Sequence, residues 1–153
     1  MRKILIGLHF GGHLDLNFTR HHQLRLHATA NGFASKEQEY NSYGDTYQNT
    51  FSLAQLGGDY VYNFDSPTKG GYFLAGLNLN QVKATYKDSG YPDVEVSQSG
   101  RVGMRIGGGY NFNRAFSLEG HVNSVSVDKN GTDGLGFDAI TWVTLSAVVR
   151  FGR

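Results

Sequence analysis

Nine side chains carry most of the chemistry this chain could do: Asp15, Arg25, His27, Asp59, Arg101, Arg105, Glu119, His121 and Arg150. Each lies in a stretch where polar and apolar residues alternate, and each falls on the polar side of the alternation. Both charge signs occur. Gathered inside a rolled sheet, such groups must neutralise one another, because an uncompensated buried charge costs about 3–5 kcal/mol. Asp59 and Glu119 are therefore expected to pair with Arg105, Arg25 or Arg150.

Other combinations point to sharper chemistry and are weaker. Glu119 and His121 share one face, and with Ser124 or Ser126 they supply the residue types of a hydrolase relay. That relay needs the hydroxyl within hydrogen-bond reach of the imidazole. Strand alternation keeps Ser124 off that face unless a bulge intervenes, and no nucleophile elbow is present, so no enzyme is expected. His9 and His13 share a face but stand roughly 13 Å apart along a strand, too far for one ion. His21 and His22 read as turn residues. The segment Asp128–Gly134 has a calcium loop's composition without its closing Glu, and reads as a solvated turn. Cysteine is absent, which removes disulfides and thiolate metal sites. No metal or cofactor is expected.

The elements that position these residues are strands. Ile4, Ile6, Leu8, Phe10, Gly12, Leu14, Leu16 and Phe18 occupy consecutive even positions, and the residues between them become polar as the segment proceeds. A strand sends alternate side chains to opposite faces. The pattern recurs at Leu24–Ala30, Leu56–Phe64, Phe73–Leu79, Val102–Phe112, Phe116–Val122 and Val143–Phe151, giving seven strands. The apolar positions slip by one residue near Asn80-Gln81 and again before Val125 and Val127. The first slip reads as a β-bulge. Connections alternate between short turns (19–22, 65–70, 113–114) and longer loops (35–49, 87–98, 128–138).

The 153 residues suffice for one domain, 1–153. The chain has 21 Gly, two Pro, nine Tyr, ten Phe and one Trp, a balance that favours an all-β chain with many turns. A net charge of +1 gives no global pull towards nucleic acid. No apolar run is long enough for a membrane helix. The start, Met1-Arg2-Lys3, lacks a cleavage site, so it does not read as a signal peptide. The slightly polar mean hydropathy is compatible with a membrane barrel, whose strands alternate apolar-out and polar-in.

Phe18, Tyr62, Phe64, Phe73, Tyr110, Phe112, Phe116 and Phe151 lie near the short turns or the carboxyl end, as an interface ring would. A looser set (Phe51, Tyr86, Tyr91, Phe137, Trp142) lies towards the long loops. The segments 57–64, 105–112 and 143–151 each run as an alternating strand to an aromatic at a turn or at the end of the chain. On these segments the chain resembles the small outer-membrane β-barrel proteins of Gram-negative bacteria, the OmpA-like and OmpX-like group. That resemblance implies an all-β, antiparallel up-and-down transmembrane β-barrel of the eight-stranded type, about seven of whose strands lie in this chain. It also implies a bacterial outer-membrane location, contact with lipid and lipopolysaccharide, and a final aromatic that here is followed by Gly152-Arg153. The odd strand count leads to the expectation that a strand and a signal peptide ahead of Ile4 are missing. The expected role is structural or surface-interacting, through the long loops and their Tyr40, Tyr43, Tyr47 and Tyr91. Two alternatives remain open: a soluble lipocalin-like barrel with its apolar face inward, and an outer-membrane lipid hydrolase.

Overall fold

The computed structural model describes residues 6–34, 38–39, 46–88, 92–128 and 138–150. Seven long strands follow one another: β1 (Ile6–Asn17), β2 (His22–Ala34), β4 (Thr46–Asn63), β5 (Gly70–Asp88), β6 (Val94–Asn111), β7 (Phe116–Ser126) and β8 (Ala139–Val149), with a two-residue β3 (Gln38–Glu39) paired to the start of β4. Every pairing is antiparallel between neighbours, in the order β1-β2-β4-β5-β6-β7-β8. The result is an up-and-down sheet curled into a half-barrel. No ladder joins β1 to β8 among the described residues.

Short turns close one end. Thr19 Oγ1 accepts hydrogen bonds from the amides of His21 and His22 at 3.2 and 3.0 Å. Asn113 Oδ1 does the same for Ala115 and Phe116 at 2.8 and 2.9 Å. Such side-chain caps let the backbone reverse without losing partners. Gly70, at φ 92°, takes the left-handed corner of the third turn, a conformation that disfavours any side chain.

The alternation sorts the two faces cleanly. Leu14, Leu26, Leu56, Leu77, Met104, Ile106, Val143 and Leu145 all point outward and are exposed, Leu145 by 75%. Gln23, Arg25, His27, Asp59, Asn78, Arg105, Glu119 and His121 point inward and are buried. The apolar side of each strand is thus the exterior, the reverse of a lipocalin-like arrangement.

Several expectations are corrected in detail. β5 runs to Asp88 and β6 begins at Val94, so the loop expected over 87–98 shrinks to a few residues. Likewise β4 begins at Thr46 within the expected loop 35–49. In both places the paired backbones continue past the apolar pattern that marks a strand in the sequence. The register between β5 and β6 does shift between Asn80 and Val82. The extra residue, however, lies on β6 beside Gly100, whose φ of 70° opens the bulge. The alternation of β5 itself is unbroken: Asn78, Asn80, Val82 and Ala84 are all buried on one face. β7 pairs with β8 in continuous register through Val125.

The slips in the sequence therefore mark a change of polarity, not of facing. Beyond Asn80 and Asn123 the interior turns apolar. Leu53, Val82, Ala84, Val125 and Val127 are buried there, with Phe33, Phe51, Tyr86, Val96, Ile140 and Trp142 packed against them. The long-loop aromatics Phe51, Tyr86 and Trp142 thus belong to an interior cap. Outside the same level the surface turns polar, with Ser52, Gln81, Lys83, Ser97 and Ser126 exposed. Tyr91, Phe137 and Phe151 lie outside the described residues.

Candidate functional site

Below the apolar cap the interior is a layered polar network, and eight of the nine charged or imidazole groups expected inside meet there. Glu119, 4% exposed, is the hub. Its Oε2 accepts from Arg25 Nη1 and, at 2.5 Å, from the Tyr72 hydroxyl; its Oε1 lies 2.5 Å from His121 Nε2. Arg25 Nε donates to Asp15 Oδ1 at 2.9 Å, and its guanidinium lies 5.6 Å from the centre of the Tyr72 ring. Asp15 Oδ2 in turn faces His13 Nε2 at 3.5 Å and Arg150 Nε at 3.6 Å. Arg150 Nη1 donates to Asn111 Oδ1 at 2.8 Å.

A second group adjoins it. Arg105 grips Asp59 with two parallel bonds, one of them Nε to Oδ1 at 2.7 Å, the planar fork-to-carboxylate geometry that suits arginine. His27 Nδ1 lies 3.2 Å from Asp59 Oδ2. Above these runs an amide chain. Thr29 and Asn31 donate to Gln55 Oε1, Gln55 donates to Asn80 Oδ1 at 2.8 Å, and Asn80 donates to Asn78 Oδ1 at 2.6 Å. Three carboxylates, Asp15, Asp59 and Glu119, face three guanidiniums, Arg25, Arg105 and Arg150. The charges balance, which is what low-dielectric burial demands.

Backbone space makes this possible. A Cβ on Gly76 would strike the Asp59 carboxylate and the Gly58 carbonyl, and one on Gly109 would lie 2.5 Å from the Tyr72 hydroxyl. The glycines on the polar face are thus the sites that large interior side chains cross.

The expected pairs Asp59–Arg105 and Glu119–Arg25 are both present. Arg101 is the exception among the nine expected residues. It keeps the inward parity of Arg105 but stands beside the β6 bulge, level with Asn80, and pairs with the exposed Asp128 at the long-loop rim. Tyr72, Gln55 and Asn80 join the network without having been singled out, and His13, weighed only as a metal ligand, joins it beside Asp15. Each lies on the inward parity of its strand, and that parity alone would have found them.

The hydrolase constellation does not assemble. His121 points inward to Glu119, whereas Ser124 faces outward and accepts from Thr141 Oγ1 at 3.2 Å. Ser126 shares the outward parity and is exposed. Among the described residues no group of three or more His, Cys, Asp or Glu side chains is placed to hold a metal ion. His9 hydrogen-bonds to Asn31 at 2.7 Å. Most of the Asp128–Gly134 segment, together with Tyr40, Tyr43 and Tyr91, lies outside the described residues, as does the side chain of Tyr47.

At the short-turn end exposed aromatics collect. Tyr110 and Phe112 meet at 5.2 Å, Phe112 and Phe116 stack at 5.6 Å, and Tyr62 meets Phe64 at 5.7 Å. Phe18 and Phe73 are also exposed at this end. A cavity of about 1160 Å³ occupies the polar interior and opens sideways between β1 and β8, lined by Phe10, His13, Asp15, Glu119, Leu145 and Arg150 among others. Comparisons with known proteins give no match to a family model, a curated protein or a solved structure.

Proposed function

We propose that this chain is a β-barrel protein of the bacterial outer membrane, with a structural and surface-presenting role. The interior network fixes strand register, and the polar rim and long loops meet lipopolysaccharide and other surface partners. The observation that carries this reading is the double reversal of polarity along β4, β5, β6 and β7. On β4 the outward apolar run spans Ala54 to Phe64, about 33 Å of extended chain. At the usual tilt of about 45° it stands close to the 25 Å lipid-facing band of such barrels. The aromatic ring bounds it at the short-turn end. At the other end the exterior becomes polar just where the interior becomes apolar, as a strand leaving lipid for water requires.

The paired surface charges fit the same division. Lys83–Glu95 at 2.8 Å and Lys87–Asp93 at 3.3 Å both lie beyond the band. The apolar cap closes the polar interior towards the long loops, which argues for a scaffold over a conducting pore. The balanced charges and the outward Ser124 favour the scaffold over a lipid hydrolase.

The test is fractionation of the expressed chain with gel mobility before and after boiling. The reading requires recovery with outer membranes, extraction only by detergent, and a heat-sensitive fast-migrating band. A monodisperse monomer in detergent-free buffer would refute it.

A further inference from the structure

We propose that the seam between β1 and β8 is a binding slot for one further β-strand, supplied by a polypeptide segment outside residues 1–153. The proposal rests on the membrane reading for its energetic force, though not for its geometry.

β1 and β8 are the two edges of the sheet, and no ladder joins them among the described residues. Each therefore presents a row of backbone N–H and C=O groups with no partner in the sheet, over 12 and 11 residues. Such edges are templates for pairing, and in hydrocarbon each unsatisfied group costs several kcal/mol. Seven strands in up-and-down order make β1 and β8 run the same way, both towards the short turns. An antiparallel strand inserted between them satisfies both edges at once. A second copy of this chain in the same membrane orientation brings only edges of the same direction, so it cannot supply that strand.

The slot is amphipathic in phase with the sheet. Phe10, Leu14, Val143 and Leu145 border it on the outer side, while Asp15 and Arg150 border it within. The cavity that reaches the interior passes through this gap. On the β8 side, Ser146 Oγ and Arg150 Nε are screened from solvent yet have no hydrogen-bond partner. Arg150 Nε has only the 3.6 Å approach to Asp15. Both want an acceptor on the missing side. The chemistry of the occupant follows: about ten to twelve residues, apolar at alternate positions facing out, with Asn, Ser, Thr or Asp facing in. A lipid tail would leave both backbone rows and both donors unpaired.

The chain has no cysteine, which makes the seam directly addressable. In the detergent-folded chain, alternate amides of β1 and β8 are expected to exchange about a hundredfold faster than those of β4 and β5, since unpaired amides need no opening step. A Gly12→Cys, Ala147→Cys double variant, both outward-facing, is expected to stay unlinked under mild oxidation. Adding a 12-residue peptide of alternating Leu/Val and Asn/Ser/Asp is expected to slow exchange on both edges together. A peptide of the same composition with its apolar residues in one block is expected to protect neither.

Seam amides already slow in the chain alone, or ready formation of the 12–147 disulfide, would mean direct closure of β1 on β8 and would overturn the proposal. So would protection of neither edge by the alternating peptide, or protection of both by the block peptide. A chain that stays in the aqueous phase would refute the membrane reading while leaving seam exchange measurable.

Discussion

Leu77 stands within the outward band of β5, opposite Met104 on β6 and 64% exposed. Replacing it with Arg separates the two possible surroundings of that band. In water, a substitution at so exposed a site shifts stability by no more than about 0.5 kcal/mol. Facing the middle of a bilayer, the same arginine costs about 2–4 kcal/mol. At 1.4 kcal/mol per tenfold, that is roughly a thirtyfold to seven-hundredfold fall in the folding equilibrium constant. The structure contains its own control. Thr85 faces the same way on the same strand, beyond the band, between Lys83 and Lys87, where the chain already tolerates cations. Thr85→Arg is expected to change stability by no more than about 0.5 kcal/mol. Urea titrations in phosphocholine vesicles, read by the mobility of the folded band, measure both. Equal effects of the two arginines would refute the assignment of the band to lipid.

Arg105→Ala strips the fully buried Asp59 of its two-pronged partner and is expected to destabilise by about 3–5 kcal/mol, whereas the double change Asp59→Leu, Arg105→Met recovers most of that loss; the same titration measures both. Gly76→Ala puts a methyl against the Asp59 carboxylate and the Gly58 carbonyl, so the folded band should weaken or vanish. Gly12→Ala meets nothing within 4 Å and should leave the band unchanged. Trp142 is the only tryptophan and packs inward on Phe33 at 6.1 Å. Its fluorescence should therefore resist quenching by brominated lipids, and strong quenching would place it on the outside.

Much of this architecture was legible because a period of two records facing directly. Leu14 and Leu16 exposed, with Asp15 turned in to Arg25, is a statement already present in the order of three residues. Charge balance made Asp59–Arg105 and Glu119–Arg25 foreseeable in the same way. The pattern could not tell a change of facing from a change of surroundings. Leu79 and Val82 are both apolar on opposite faces of β5, one pointing out and the other into the cap. A bulge and a water boundary leave the same trace in a hydropathy pattern. Strand ends were lost for the same reason. Past the boundary, Ser52, Gln81, Lys83 and Lys87 put polar side chains on the exterior, and polar stretches read as loops. Arg101 keeps the parity of Arg105 but stands higher, level with Asn80, where Asp128 is its partner, and parity records facing without recording level.

The switch of interior from polar to apolar also bears on transit. A polypeptide threaded through an inner-membrane translocon is retained wherever it offers a continuous greasy helix to the lateral gate. Here oily and hydrophilic side chains largely alternate along the strands, and no apolar run is long enough for such a helix. On the outer-membrane reading proposed above, the chain would therefore pass that gate and would present a continuous oily surface only once the sheet has curled.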